Sequence, residues 1–196
     1  MNWKSKKALR YLPGLILPLL FVGFTVYFFV FSTPERIIEM VGVNNAYMLI
    51  FVLAFLGGLT TFSGLPYHLL LITLATGGLK PSLLGISAAA GVMLGDSTSY
   101  YVGYHGGAIA PQGIQKFFKQ AYFFSSRHQI MLPLFCLAYG SLVPFSNDFI
   151  TISAGIARYP FWRVMIPLGI GNLIFNISLA YFSPNAYNFL FNTIFN

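Results

Sequence analysis

Two aspartates stand where an oily chain has least use for charge: Asp96 in "GVMLGDSTSYYVGYHGG" and Asp148 in "SLVPFSNDFITISAG". A carboxylate at the centre of an apolar helix costs about 2.5 to 3.5 kcal/mol on insertion scales, so such groups face an interior or a water-filled path. Sheltered from water with no cation beside it, a carboxyl can take up and release a proton, the chemistry of coupled transport. His68, two residues past Pro66, and Asn147, beside Asp148, complete the set of transport or proton-handling candidates. Each also has a plainer role. Ser146, Asn147 and Asp148 can cap a helix that starts "FITISAG". Asp96 can be a hydrogen-bonded interior residue near Ser97, Thr98 and Ser99, and His68 a packed one.

Other chemistries find little support. The three histidines and the single Cys136 have no metal-ligand spacing, and Cys136 in "IMLPLFCLAYG" reads as a small hydrophobe. No phosphate-binding glycine loop, HExxH or serine-nucleophile elbow is present, so neither an enzyme nor a cofactor is expected. Among 196 residues, 57% are hydrophobic and 8% are charged, against about a quarter charged in a soluble domain. That composition predicts an all-α polytopic membrane protein. The net charge of +7 does not suggest nucleic acid, because Lys4, Lys6, Lys7 and Arg10 crowd the N-terminus as topology signals do.

The elements that must position the two acids follow from hydropathy and punctuation. Tyr11 to Phe31 is long enough for a first transmembrane helix. "STPERIIEMVG" then predicts a short surface helix, with Thr33 as cap, Pro34 in the first turn, and Glu35, Arg36 and Glu39 in solvent. These make a segment 1–45, followed by a membrane domain 46–182 and an interfacial tail 183–196. Within the domain, the stretch from Ala46 to Leu84 is interrupted by Gly57, Gly58, Gly64 and Pro66, and that from Ile130 to Arg158 by Pro144. Each predicts two half-length helices with a turn at membrane depth, tolerated only inside protein or beside a wet cavity. Pro81 to about His105 and Pro160 to Tyr181 are long enough to cross. Asp96 falls about 22 Å along the first of these at 1.5 Å per residue.

The interruptions are spaced alike. Gly77 follows Pro66, and Gly155 follows Pro144, by eleven residues, with Ile72 and Thr73 matching Ile150 and Thr151. With the N-terminus cytoplasmic, hairpins entering from opposite faces place Lys116, Lys119, Arg127, Arg158 and Arg163 inside and leave Lys80 as the exception. This predicts an inverted repeat of two re-entrant hairpins, each followed by a transmembrane helix.

Gly95, Asp96, Tyr100, Gly103 and Gly107, together with Pro144, Ala154, Gly155, Arg158, Phe161 and Arg163, form a pattern that resembles the DedA family, also called the SNARE-associated or VTT-domain family. The likeness spans about 57–181. It implies inverted re-entrant helices in a bacterial inner-membrane or endomembrane protein that moves lipid between leaflets, undecaprenyl phosphate or phospholipid, with proton coupling proposed for bacterial members. Two departures mark this chain as divergent. Ser63 and His68 stand where relatives carry acidic residues, and Ser141 and Asn147 where they carry arginines.

The expectation is a transporter of a lipid or amphiphile, with membrane lipids as partners and a bacterial plasma membrane as location. Asp96, Asp148, His68 and Asn147 would line the path, with Pro66 and Pro144 opening the turns. Gly77, Gly95, Tyr100, Gly103, Gly107 and Gly155 would hold the helices close, and Lys116, Lys119, Arg127, Arg158 and Arg163 would serve headgroups or topology. A proton-coupled carrier of a small solute and a non-transporting scaffold are the competing expectations.

Overall fold

A computed structural model describes residues 34–59, 64–106, 130–144 and 146–195. The predicted first transmembrane helix with its basic residues lies outside them, as do Ser63, Gly107, Lys116, Lys119 and Arg127. Among the described residues there are seven helices and no strand: α1 (Pro34–Val41), α2 (Val43–Leu59), α3 (Gly64–Thr76), α4 (Pro81–Gly106), α5 (Met131–Leu142), α6 (Asp148–Ile156) and α7 (Phe161–Phe195). The portion Phe161–Asn185 of α7 is the one described helix long and apolar enough to cross a membrane. Although α4 has 26 residues, its glycines, serines and Asp96 make it less apolar.

Both apolar stretches are interrupted, as expected, but the two prolines sit differently. Pro144 lies in the non-helical break between α5 and α6, whereas Pro66 lies in the opening turn of α3. There the missing N–H has no helical acceptor to lose, so proline fits without breaking the helix.

After each second arm the chain reverses through the same motif. Gly78 N–H donates to Ala75 O and Leu79 N–H to Leu74 O; eighty residues later, Arg158 N–H donates to Gly155 O and Tyr159 N–H to Ala154 O. This is the Schellman arrangement, which needs one residue in the left-handed region. Gly78 takes it at φ 89° and Arg158 at φ 54°. The turn motif therefore recurs at eighty residues, not at the interval that pairs Gly77 with Gly155. Gly77 belongs to the turn, while Gly155 is buried inside α6.

Packing crosses between the halves. The first arms stay at home, with α2 on α4 and α5 on α7, while α6 packs on α4 and α3 divides its packing between α2 and α7. Small residues make the close approaches possible. A Cβ on Gly95 would strike the backbone of Gly58, and one on Gly103 or Gly155 would strike the Ile152 or Tyr100 carbonyl between α4 and α6. The two long helices run antiparallel, since Gly85 abuts Ile177 and Gly169 abuts Met93.

Two apolar clusters result. One gathers Ile50, Leu71, Leu74, Leu84, Val92 and Ala180, and the other Tyr100, Cys136, Ile150, Val164 and Leu168. Between them lies a polar layer. On α4 it falls at Asp96 and Ser99, between Val92 and Tyr100; on α7 at Asn172 and Asn176, between Leu168 and Ala180.

Candidate functional site

That layer is the candidate site. Asp96 is 0% exposed and stands midway along α4. Its Oδ2 accepts two amide hydrogens, from Asn147 Nδ2 at 2.8 Å and Asn172 Nδ2 at 3.2 Å. Asn147 Nδ2 also lies 3.1 Å from Asn172 Oδ1, and Asn176 Nδ2 donates to the Asn172 carbonyl at 2.8 Å. Asp96 Oδ1 has no hydrogen-bond partner among the described residues. Three elements thus converge on one carboxyl: α4, the start of α6, and α7.

Asp148 opens α6 beside this group, 3% exposed. Ser99 Oγ lies 2.6 Å from its Oδ1, and Ser146 Oγ donates to its Oδ2 at 2.8 Å. Ser99 Oγ is also 3.3 Å from the Gly58 carbonyl. A hydroxyl has one hydrogen to give and here faces two acceptors. Ser99 therefore links the start of α6 to the end of α2.

The capping expectation is met by Ser146. Ser146 Oγ accepts the Asp148 N–H at 3.2 Å, whereas Asn147, the residue that precedes the helix, makes no side-chain cap. Its amide is thereby released to reach Asp96. Thr151 hydroxyl turns back to the Asn147 carbonyl at 3.2 Å and holds that backbone in place.

A cavity of about 20 Å³ opens beside Asp96, walled by Gly57 and Gly58 of α2, Tyr67 and His68 of α3, Asn147, Asn172 and the segment around Pro144. By this measure it holds about one water-sized group. The His68 ring packs against Tyr67, with centroids 4.0 Å apart, and edge-on to Phe175 at 5.5 Å. The sequence-derived candidates Asp96, Asp148, Asn147, His68 and Pro144 are therefore brought together. Gly95, Gly103 and Gly155 sit at helix contacts, and Gly77 lies in the first turn. Tyr100 clamps the second turn, its hydroxyl donating to Tyr159 O at 2.5 Å. Arg158 and Arg163 are exposed away from the cluster, with the Arg158 guanidinium 5.3 Å above the Tyr104 ring.

Asn172, Asn176 and Tyr67 were not singled out by the sequence analysis, and Ser99 was named only as a neighbour of Asp96. A signal existed for the first two: "NLIFN" puts two amides four residues apart, on one face of an otherwise apolar helix. Tyr67 had none, and the bond from Ser99 to Asp148 had none either, since their importance lies in what crosses to meet them. No protein-family model, curated protein or solved structure matches the chain.

Proposed function

We propose that this chain is an integral membrane transporter of the DedA/VTT type, an inverted repeat of re-entrant hairpins that moves a lipid or amphiphile between leaflets. Asp96 and Asp148 serve as the protonatable groups along its path. One observation carries the reading: two interrupted apolar hairpins exchange their second arms and enclose a carboxyl and amide layer between two apolar clusters. Burying two carboxyl groups and three asparagines is costly unless they are used or fully paired, and Asp96 Oδ1 lacks a described partner. The setting proposed is a bacterial plasma membrane with the N-terminus in the cytoplasm, which puts most basic residues on the cytoplasmic side.

The cavity is far smaller than a lipid headgroup, so passage of a lipid requires the α3–α7 and α6–α4 contacts to separate. The test is translocation of fluorescent phospholipids and polyprenyl phosphate in proteoliposomes, read by quenching from outside. Faster loss of signal than in protein-free vesicles supports the proposal; equal rates refute it. The small cavity lends specific support to a second reading, a proton-coupled carrier of a small solute. That reading predicts solute uptake driven by a pH gradient with no lipid movement.

A further inference from the structure

Asp96 is held in a lopsided way. Both amide donors go to Oδ2, while Oδ1 of this fully buried side chain, which lines the cavity, has no donor among the described residues. Amide N–H groups on an ionised oxygen stabilise negative charge, yet none of the described lining residues is Lys or Arg. The four described basic side chains, Arg36, Lys80, Arg158 and Arg163, are all exposed. A buried carboxylate without a counter-charge carries a penalty of several kcal/mol. The ionised form of Asp96 therefore calls for a positive group beside it.

The walls favour the same sign. Gly57 and Gly58 are in the last turn of α2, and Val143 follows the end of α5. Helix C-termini present carbonyl oxygens and partial negative charge, and in transporters such ends coordinate small cations. The opening turns of α3 and α6 also reach the cavity, and their N–H groups alone would favour an anion. Size and charge decide against it. About 20 Å³ admits one water-sized group, whereas a phosphate with its oxygens needs several times as much and would meet Asp96 directly. A trimethylammonium group is excluded by the same measure.

We infer that the cavity at Asp96 binds a small monovalent cationic group, a sodium-sized ion or a primary ammonium. Its ligands are Asp96 Oδ1 and the oxygens that wall the cavity. The inference rests on the reading of this cavity as part of a transport path and gives that path a charge preference. The group has two possible sources, a free alkali ion or the ammonium of an ethanolamine-type headgroup.

The test is thermal unfolding of the full chain purified in detergent, followed by tryptophan fluorescence. Sodium, potassium, ethanolamine and tetramethylammonium chlorides are titrated at constant ionic strength. At tenfold excess over the midpoint, a specific cation should raise Tm by about 3 °C. A saturable rise with sodium but not ethanolamine assigns the site to a free ion; the reverse assigns it to a headgroup ammonium; tetramethylammonium should do nothing. The rise should vanish in Asp96→Asn. Should that variant fail to fold, Val92→Leu, which fills the cavity wall and keeps the carboxyl, should reduce the rise at least threefold. Equal shifts with all four salts, or a saturable rise unchanged in whichever of these variants folds, overturns the inference. Lipid translocation without a cation-specific rise defeats this inference alone. A cation-specific rise in a protein that moves no lipid defeats the lipid reading and leaves the site standing.

Discussion

The turn joining α3 to α4 and the turn joining α6 to α7 share their hydrogen bonds, yet Gly78 occupies the left-handed position in the first and Arg158 in the second. The helices that follow diverge in the same manner. At eighty residues' separation, Asp96 on α4 answers to Asn176 on α7, and apolar Val92 answers to Asn172. The turn recurs while the chemistry does not. One half supplies the α4 carboxyl and the other the amides that hold it, so neither half contains a finished site.

Substitutions can break or sharpen that comparison. The largest effect is expected at the crossing between halves. Gly155→Val would force the α6 backbone off the Tyr100 carbonyl and should cost about 3 kcal/mol or more, while Gly77→Ala, in the first turn, should cost under about 1 kcal/mol. Thermal unfolding and monodispersity in detergent read both. Similar costs would mean that the two glycines are equivalent after all.

Next comes the polar layer. Ser99→Ala removes the only described hydroxyl shared by Asp148 and Gly58 and should destabilise by about 1 to 3 kcal/mol, whereas Thr98→Ala one residue earlier, exposed and bonded back to Leu94, should stay within about 0.5 kcal/mol. The smallest effects belong to the turns and have opposite signs. Gly78→Arg should destabilise by about 1 to 2 kcal/mol, the usual cost of a side chain in the left-handed region. Arg158→Gly should stabilise by about 0.5 kcal/mol, because relief of that strain outweighs the lost contact with Tyr104 and the added freedom of glycine when unfolded. A destabilised Arg158→Gly would show that the arginine holds the turn through its side chain.

The sequence revealed most where the physics is local. Composition, the prolines and the glycine runs located all four half-length helices, α4 and the start of α7, because chain breaks and hydropathy depend on neighbours in sequence; α7, however, runs through Pro184 to Phe195, past the expected end at Tyr181 and into the expected tail. It also picked out both buried acids, since a carboxylate in an apolar run is conspicuous. What it missed is relational. The exchange of arms depends on contacts between α3 and α7 and between α6 and α4, which no local pattern encodes. For the same reason the bond from Asn147 to Asp96 was not foreseen: Ser146, Asn147 and Asp148 all looked able to cap α6, and only Ser146 takes that role. The eighty-residue register emerged only with the turn geometry, because the sequence punctuation at Gly77 and Gly155 was coincidental in position.

The most direct measurement compares lipid translocation by wild type and Asp96→Asn in proteoliposomes, at matched incorporation and with Tm checked for both. Asparagine keeps the shape and removes the charge and the exchangeable acid. The account predicts a folded variant that translocates at least about tenfold more slowly, a barrier increase of about 1.4 kcal/mol or more. A folded Asp96→Asn protein that moves lipid at the wild-type rate would contradict it.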